Sequence, residues 1–369
     1  MLTVEEAERR AAALVEAARK AGADAADAVY TGEASTGIQV RLGALEDVVR
    51  SEGEEIGLRF FLGRRSASVS SSDLSGEALA GLVERAAAMA REAPEDPYAG
   101  LAPEERLLNG EPAEVDGDDG ADPSPAELKE RALAIEDAAR AVSGVTNSEG
   151  AGISAGRSVF ALATSHGFCR GYATSGYGEM ASVIAGTGGG MQRDYAQHNV
   201  RHYGDLDPPV VIGRLAAERA VARLNPGRLP SGRTTIVFDP RVGGSLVSHL
   251  TAAMSGPAIT RRTSFLIGRE EESLFPPALV IRDDPHRRRG LASKPFDGEG
   301  VATAPCDLVA GGRLTGWLLD SASARQLGLA PTGHATRGVG GAPGANATNL
   351  HLEPGRFSRD ELIGDVARG

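Results

Sequence analysis

Apolar side chains recur at helical spacing at the start of the chain: Val4, Ala7, Ala11, Leu14, Val15 and Ala18 share one face, and Gly22 follows as a stop. The spacing predicts an amphipathic helix over 3–21, opened by Thr3 and Glu6 at capping-box distance. Such a face has to pack on a sheet. Over 24–32 and 35–72 apolar and polar residues tend to alternate, and Gly32, Gly43, Gly53 and Gly63 punctuate, which predicts antiparallel meander strands. Ser75 then opens a second helix whose Leu79, Leu82, Val83, Ala86 and Met89 share a face, ending before Pro94.

Residues 93–125 are rich in Pro, Gly and acid and follow neither period, as expected of a linker or surface excursion crossed by few contacts. Helical spacing returns over 125–141 through Leu128, Ala132, Ile135 and Ala139. Glycine-punctuated strands follow over 143–186, then a helix over 205–225 closed by Pro226 and Pro230. From Arg233 the pattern predicts a strand at 234–240, a helix at 243–256, a strand within 278–285 and a strand pair over 306–320. A short helix at 321–328, one strand within 333–355 and a last helix at 360–369 complete it. Strands and helices mix without regular βαβ alternation, so the expected class is α+β, with mostly antiparallel sheets and packed helices. Three units are expected, over 1–110, 120–228 and 229–369.

Composition narrows the function. The 369 residues carry 39 basic and 50 acidic side chains, and the net charge of −11 would repel a phosphate backbone, against direct nucleic-acid binding. No apolar run approaches the ~20 residues a membrane helix needs. The first residues are acidic where a signal peptide is cationic, and Cys169 and Cys306 lie far apart, as expected of free thiols in a reducing cytoplasm.

Several short motifs fail on context. Gly152-Ile153-Ser154-Ala155-Gly156 has the letters of a nucleophile elbow, but strand-like residues follow where a helix is required, so a hairpin turn is expected. His198 and His202 stand four apart without a glutamate after the first, in a stretch with no apolar stripe, which reads as a solvated loop. The glycines of 186–190 and 338–344 lack the residues of a phosphate-binding loop and read as turns, and Arg287 to Arg289 read as a solvated or partner-facing loop. Asp283, Asp284, Asp297 and Glu299 fall close together around glycine turns, either as turn formers or as carboxylates for acid–base or metal chemistry.

Longer stretches say more. EEIGLRFFLGRRSASVSSSDLS, PEDPYAGL, NSEGAGISAGRSVFALATSHGF, FDPRVGGSLVSHLTAAMSGPAITRRTSFLIGR and the run from Ile281 to Gly338 resemble, in order and over essentially the whole chain, the TldD/PmbA family. The resemblance implies a cytoplasmic, metalloprotease-related protein working as paired subunits that degrade or trim unfolded peptides, under a historical label of DNA gyrase modulator. It implies two branches: a TldD-like one, with zinc held by H-E-x-x-x-H on a helix of the third unit, and a PmbA or TldE branch without that motif. Here the corresponding helix reads SLVSHLTAAMS, with His249 alone and Leu250 after it, so the PmbA branch is implied. Family members continue beyond the last predicted helix, so the third unit is expected to be short of strands.

The expected role is therefore a non-catalytic subunit with no cofactor of its own, serving a zinc-bearing TldD-like partner and an unfolded peptide substrate, with self-pairing into a homodimer open. A stand-alone peptidase with unorthodox metal ligands, and an interaction protein acting on a client such as a topoisomerase, are the alternatives. Contacts to substrate or partner are expected from loop residues of the third unit: Arg261, Arg262, Ser264, Asp283, Asp284, Asp297, Glu299, Arg325, His334 and Arg337.

Overall fold

The computed structural model describes residues 1–228 and 230–364. Its chain order is α1 (Val4–Lys20), β1 (Ala25–Arg41), β2 (Ala44–Leu62), β3 (Arg65–Ser71), α2 (Gly76–Glu92), α3 (Pro125–Arg140), β4 (Val145–Thr164), β5 (Cys169–Ala185), β6 (Gln192–Val200) and α4 (Pro209–Ala222). The third unit adds α5 (Pro240–Met254), α6 (Gly256–Thr260), β7 (Ile281–Asp283), β8 (Cys306–Ala310), β9 (Arg313–Leu314), α7 (Ser321–Leu327), β10 (Ala335–Thr336), β11 (Gly344–Ala345), β12 (Leu350–Leu352) and α8 (Arg359–Gly364). The fold is α+β with antiparallel pairing throughout the named strands.

The first two units share one sheet of six strands, in the order β3-β2-β1-β4-β5-β6. Their strands alternate in side-chain direction, and the apolar half of that alternation points one way along the full length. On β1, Ala26, Ala28 and Tyr30 pack under α1 and α2, while Ile38 and Val40, of the same parity, pack under α3 and α4. On β4, Val159, Ala161 and Ala163 belong to the first cluster and Ala151, Ile153 and Ala155 to the second. All four helices therefore lie on one face of a sheet long enough to take two helix pairs end to end. Local chemistry agrees: Thr3 and Ser124 form capping boxes, and Ser75 caps α2. The β1–β2 turn puts Leu42 and Gly43 at φ 52° and 80°, and buried Glu136 of α3 accepts both their amides at 2.8 Å.

The opposite face carries the third unit. Val29 and Leu162 point that way and meet Phe296 and Val301, and Phe296 is ringed by Phe160, Phe168 and Tyr172 at centroid distances of 5.1–6.2 Å. The backbone comes closer still at Gly57, where a Cβ would lie 1.7 Å from the carbonyl oxygen of Val339. Only glycine lets the 338–341 loop sit directly on β2. Elsewhere the third unit is a four-stranded sheet, β12-β7-β8-β9, around Leu250, Met254, Ile281, Leu308, Val309 and Leu318, with β10–β11 as a separate pair.

Several local expectations change: Gly32 and Gly53 lie inside β1 and β2 and end no strand, and 333–355 carries three short strands where one was expected. Residues 93–125 are a strap: Leu108 donates its amide to Gly300, Ala302 donates to Arg106, Arg289 donates to Val115, and Ala102 and Leu107 are buried. Their lack of periodicity reflects irregular backbone paired to irregular backbone. The Gly152–Gly156 motif lies in the middle of β4, where its glycines and alanine fit the crowded sheet, and makes no turn. His198 stands on edge strand β6, and His202 is half-buried with Nε2 3.0 Å from the carbonyl oxygen of Asp116. The stretch 234–239 is assigned no strand: its apolar residues have no strand beside them among the described residues, and Ile236 is 65% exposed. Residues 365–369 of the last predicted helix, like Leu229, lie outside the described residues.

Truncating the aromatic anchor tests how the third unit is held. Phe296→Ala is expected to lower the unfolding free energy by about 3–5 kcal/mol in urea titrations, while Val49→Ala, at an exposed strand position, should stay within about 0.5 kcal/mol.

Candidate functional site

Between the sheet and the third unit lies a chain of buried charges. Asp27 on β1 and Arg59 on β2 stand opposite each other in register, on the face that meets the third unit. Arg59 donates Nε to Asp27 Oδ2 at 3.0 Å and adds a second bond through Nη2. From the third unit, Arg337 donates Nη1 to Asp27 Oδ1 at 2.7 Å, with its side chain fully buried. Burial alone would raise Asp27, but the Arg337 and Arg59 charges outweigh it and hold the carboxyl below its ordinary value. Arg59 also approaches Glu299 Oε1 at 3.8 Å, and Glu299 Oε2 accepts the amide of Ser321 at the start of α7 at 2.7 Å.

Next to this node, Asp297 organises the loop around itself. Its Oδ1 accepts the amides of Glu299 and Val301, both at 2.9 Å, and its Oδ2 accepts that of Ala335 at 3.0 Å. The turn-forming reading of these acids therefore describes their bonds, though the turn is buried. Burial first, and then the Glu299 charge, push Asp297 up to about 7; burial also raises Glu299 and lowers Lys294. Lys294 donates Nζ to the Ala335 carbonyl at 3.2 Å.

A third group brings together Asp283, His334 and Cys306. His334 Nε2 lies 3.3 Å from Asp283 Oδ2 and 3.9 Å from Cys306 Sγ, and Nδ1 lies 2.8 Å from Thr332 Oγ1. A nucleophile relay needs thiol and carboxylate on opposite ring nitrogens. Here both meet the same one, and burial with the Asp283 and Asp307 charges pushes the thiol up to about 11, so it stays protonated. Asp283 is further spent on the Thr348 amide and hydroxyl, at 2.6 and 2.9 Å.

Of the ten residues expected from sequence, Asp283, Asp297, Glu299, Arg325, His334 and Arg337 thus converge behind the sheet. Arg325 acts as a clamp, donating to the carbonyls of Tyr98 and Leu101 in the strap. Asp284 is half-buried and accepts the amide of His286 at 2.9 Å. Arg261 and Arg262 are exposed on the turn after α6, and Ser264 accepts the amide of Leu266, so these three stand apart. The Arg288 and Arg289 side chains are taken by Asp116, with Asp205 also bound to Arg289. Sequence reasoning passed over Asp27, Arg59 and Lys294. The signal for the first two was present: opposite charges inside apolar strands, at positions a meander sets across from each other.

Comparison with known proteins places this architecture. Three family models match in succession: PmbA/TldA metallopeptidase domain 1 over residues 26–90, the central domain over 118–224 and the C-terminal domain over 231–369. The chain is thus of the metallopeptidase-related class. It belongs to the PmbA/TldD family. It is 38% identical to metalloprotease PmbA of Escherichia coli O157:H7 over 304 residues, 82% of this chain and 67% of that protein. A PmbA homologue of Haemophilus influenzae is 34% identical over 338 residues, 91% of this chain and 74% of the relative. In fold it is similar to a modulator of DNA gyrase from Bacteroides thetaiotaomicron (TM-score 0.89, 24% identity, 99% of this chain and 81% of that one). TldE of Thermococcus kodakarensis is a second structural relative (TM-score 0.83, 20% identity, 97% and 80%).

The zinc implied by the metallopeptidase name does not fit the donors on α5. His249 is exposed, Leu250 follows it, and among the described residues no group of three or more His, Cys, Asp or Glu is arranged to hold a metal ion.

Two measurements check the charge network. Asp27→Ala strands two buried guanidinium groups and should cost about 3–5 kcal/mol of unfolding free energy, more than Asp27→Asn. For Asp297 the linkage runs the other way from a salt-bridged acid. Between about pH 4 and about pH 7 the folded chain keeps a proton that the unfolded chain has lost, so stability should fall as pH rises through that window. Urea titrations should show a shallower fall in Asp297→Asn; equal slopes would mean that Asp297 is ionised throughout.

Proposed function

We propose that this chain is the PmbA/TldE-like, non-catalytic subunit of a cytoplasmic TldD/TldE-type metalloprotease that trims unfolded peptides, with zinc and catalysis supplied by a TldD-like partner. One observation carries the reading. On α5, the helix where the catalytic branch bears H-E-x-x-x-H, this chain has a single imidazole, no neighbouring carboxylate and a following Leu250 that packs into the core of the third unit. Water activation for amide cleavage needs about three metal ligands with an open position and a base, or an equivalent relay. The two arrangements that come nearest are otherwise engaged. Asp283, Asp297 and Glu299 spend their oxygens on backbone amides and buried cations, and Cys306 is a neutral thiol.

A relative under the other branch name fits this reading: a metalloprotease TldD homologue of Haemophilus influenzae is 26% identical over 162 residues, 43% of this chain. In this reading the chain shapes and holds substrate while the partner cuts. The stand-alone peptidase and the topoisomerase-client alternatives have no comparable residues in their favour, and the charge of −11 works against a role at DNA itself.

The decisive experiment is co-expression with a TldD-like subunit from the same source and assay on an unfolded peptide. The pair should cut at least tenfold faster than either chain alone, this chain alone should be inactive, and His249→Ala in this chain should leave the pair's rate unchanged. Stoichiometric metal on the purified chain, with peptidase activity in the absence of a partner, would overturn the reading.

A further inference from the structure

The face of the sheet that carries the third unit is only partly covered. Beside the covered part runs an open groove of about 660 Å³, floored by β2, β1, β4 and β5 and walled by residues 292–294. Strand register fixes the order of its groups. Glu55 on β2 pairs with Thr31 on β1, and Glu33 stands two residues on, opposite Ser158 on β4. Ser158 pairs with Thr174 on β5, and Phe160 with Tyr172. Arg201, just past β6, reaches back over β5 by donating Nη1 to the Ser175 carbonyl at 2.8 Å. Acids therefore stand at the β2–β1 end and a guanidinium at the β5–β6 end.

The cationic end is built, not incidental. Arg201 also donates Nη2 to the carbonyl of Leu291, which ties the loop that walls the groove to this end of the sheet. After these bonds Arg201 Nε is buried and has no hydrogen-bond partner among the described residues. Beyond these two carbonyls Arg201 keeps a second N–H on each of Nη1 and Nη2, and a guanidinium that lines a groove calls for an anion with more than one oxygen. At the other end Glu33 is exposed on its strand and free to meet a cation.

We infer that this groove binds a short linear peptide lying across the strands, its free C-terminal carboxylate on Arg201 and its α-ammonium toward Glu33 and Glu55. The span supports the length. Three to four strand spacings of about 4.8 Å cover roughly 14–19 Å, and an extended peptide rises about 3.3 Å per residue, giving four or five residues between the charged ends. Ser158 and Thr174 offer hydroxyls to its backbone between those ends, and Tyr172 and Phe160 offer apolar contact. A binder of this kind reads both termini and little side-chain identity, which suits a subunit that handles trimmed products or short substrates. The inference rests on the peptide-handling reading only for the class of ligand, and its test needs no protease partner.

Isothermal titration calorimetry of the full chain with penta-alanine, its C-terminal amide and its N-acetyl form reads the two ends separately. Amidation should weaken binding at least tenfold and acetylation severalfold. Arg201→Gln should weaken penta-alanine as much as amidation does and should leave the amide's affinity unchanged, since the group it served is already gone. Because Arg201 also holds Ser175 and Leu291, Glu33→Gln gives a second reading at an exposed position: it should weaken penta-alanine but leave the N-acetyl form unchanged. Equal affinities for the three peptides, or no binding of penta-alanine at millimolar concentration, would overturn the inference while leaving the subunit assignment to the peptidase assay.

Discussion

The molecule turns on a buried carboxylate shared by two guanidinium groups. Asp27 and Arg59 belong to the sheet, Arg337 arrives from the third unit more than three hundred residues later, and none of them touches water to any extent. Desolvating three charges costs several kcal/mol per ion, and only close, well-aligned bonds offset that. The node therefore dictates geometry more than it adds stability. It sets where the 335–339 backbone lies, and that backbone fits only because β2 has no side chain at Gly57. Glu299, Asp297 and His334 then fall into place as consequences of a docking position already fixed.

This division of labour leaves a site rich in titratable groups with little free bonding capacity. A catalytic acid or base needs an unspent lone pair facing open space. Around the node nearly every carboxylate oxygen accepts from a backbone amide or a cation, so the acids serve as anchors for loops without regular secondary structure. The open chemistry lies elsewhere, on the uncovered part of the sheet, where residues from four strands and one loop line a groove. That groove is shaped by elements that α5 does not contribute to.

Much of this was legible beforehand where periodicity was clean. The four helices of the first two units, the Thr3 and Ser75 caps and the meander around Gly43 and Gly63 follow from spacing alone. The third unit was read less well, because its strands are two to five residues long and carry too few alternations to register a period. The strap over 93–125 looked like a linker because many of its contacts run through backbone carbonyls, which leave no mark in the sequence, and because the acids that bond Arg289, Arg157 and Tyr177 follow no period. Residues 234–239 illustrate the reverse: the letters of a strand, with no strand beside them among the described residues. At the site, Asp297, Glu299, His334 and Arg337 drew attention as polar residues in a well-matched stretch, but their burial did not, and Asp27 and Arg59 were hidden inside strands read for their apolar neighbours.

The pairing of β1 with β4 has a cost in time. Asp27 stands in register with Thr164, so the inner edge of β1 cannot be fully paired until about a hundred residues beyond the end of β2 have left the ribosome. At roughly 5–20 residues per second, that leaves an apolar hairpin with a bare backbone edge for about 5–20 seconds. During that interval the nascent chain depends on α1 and α2 folding over one face, and on whatever chaperones the cell provides for the other.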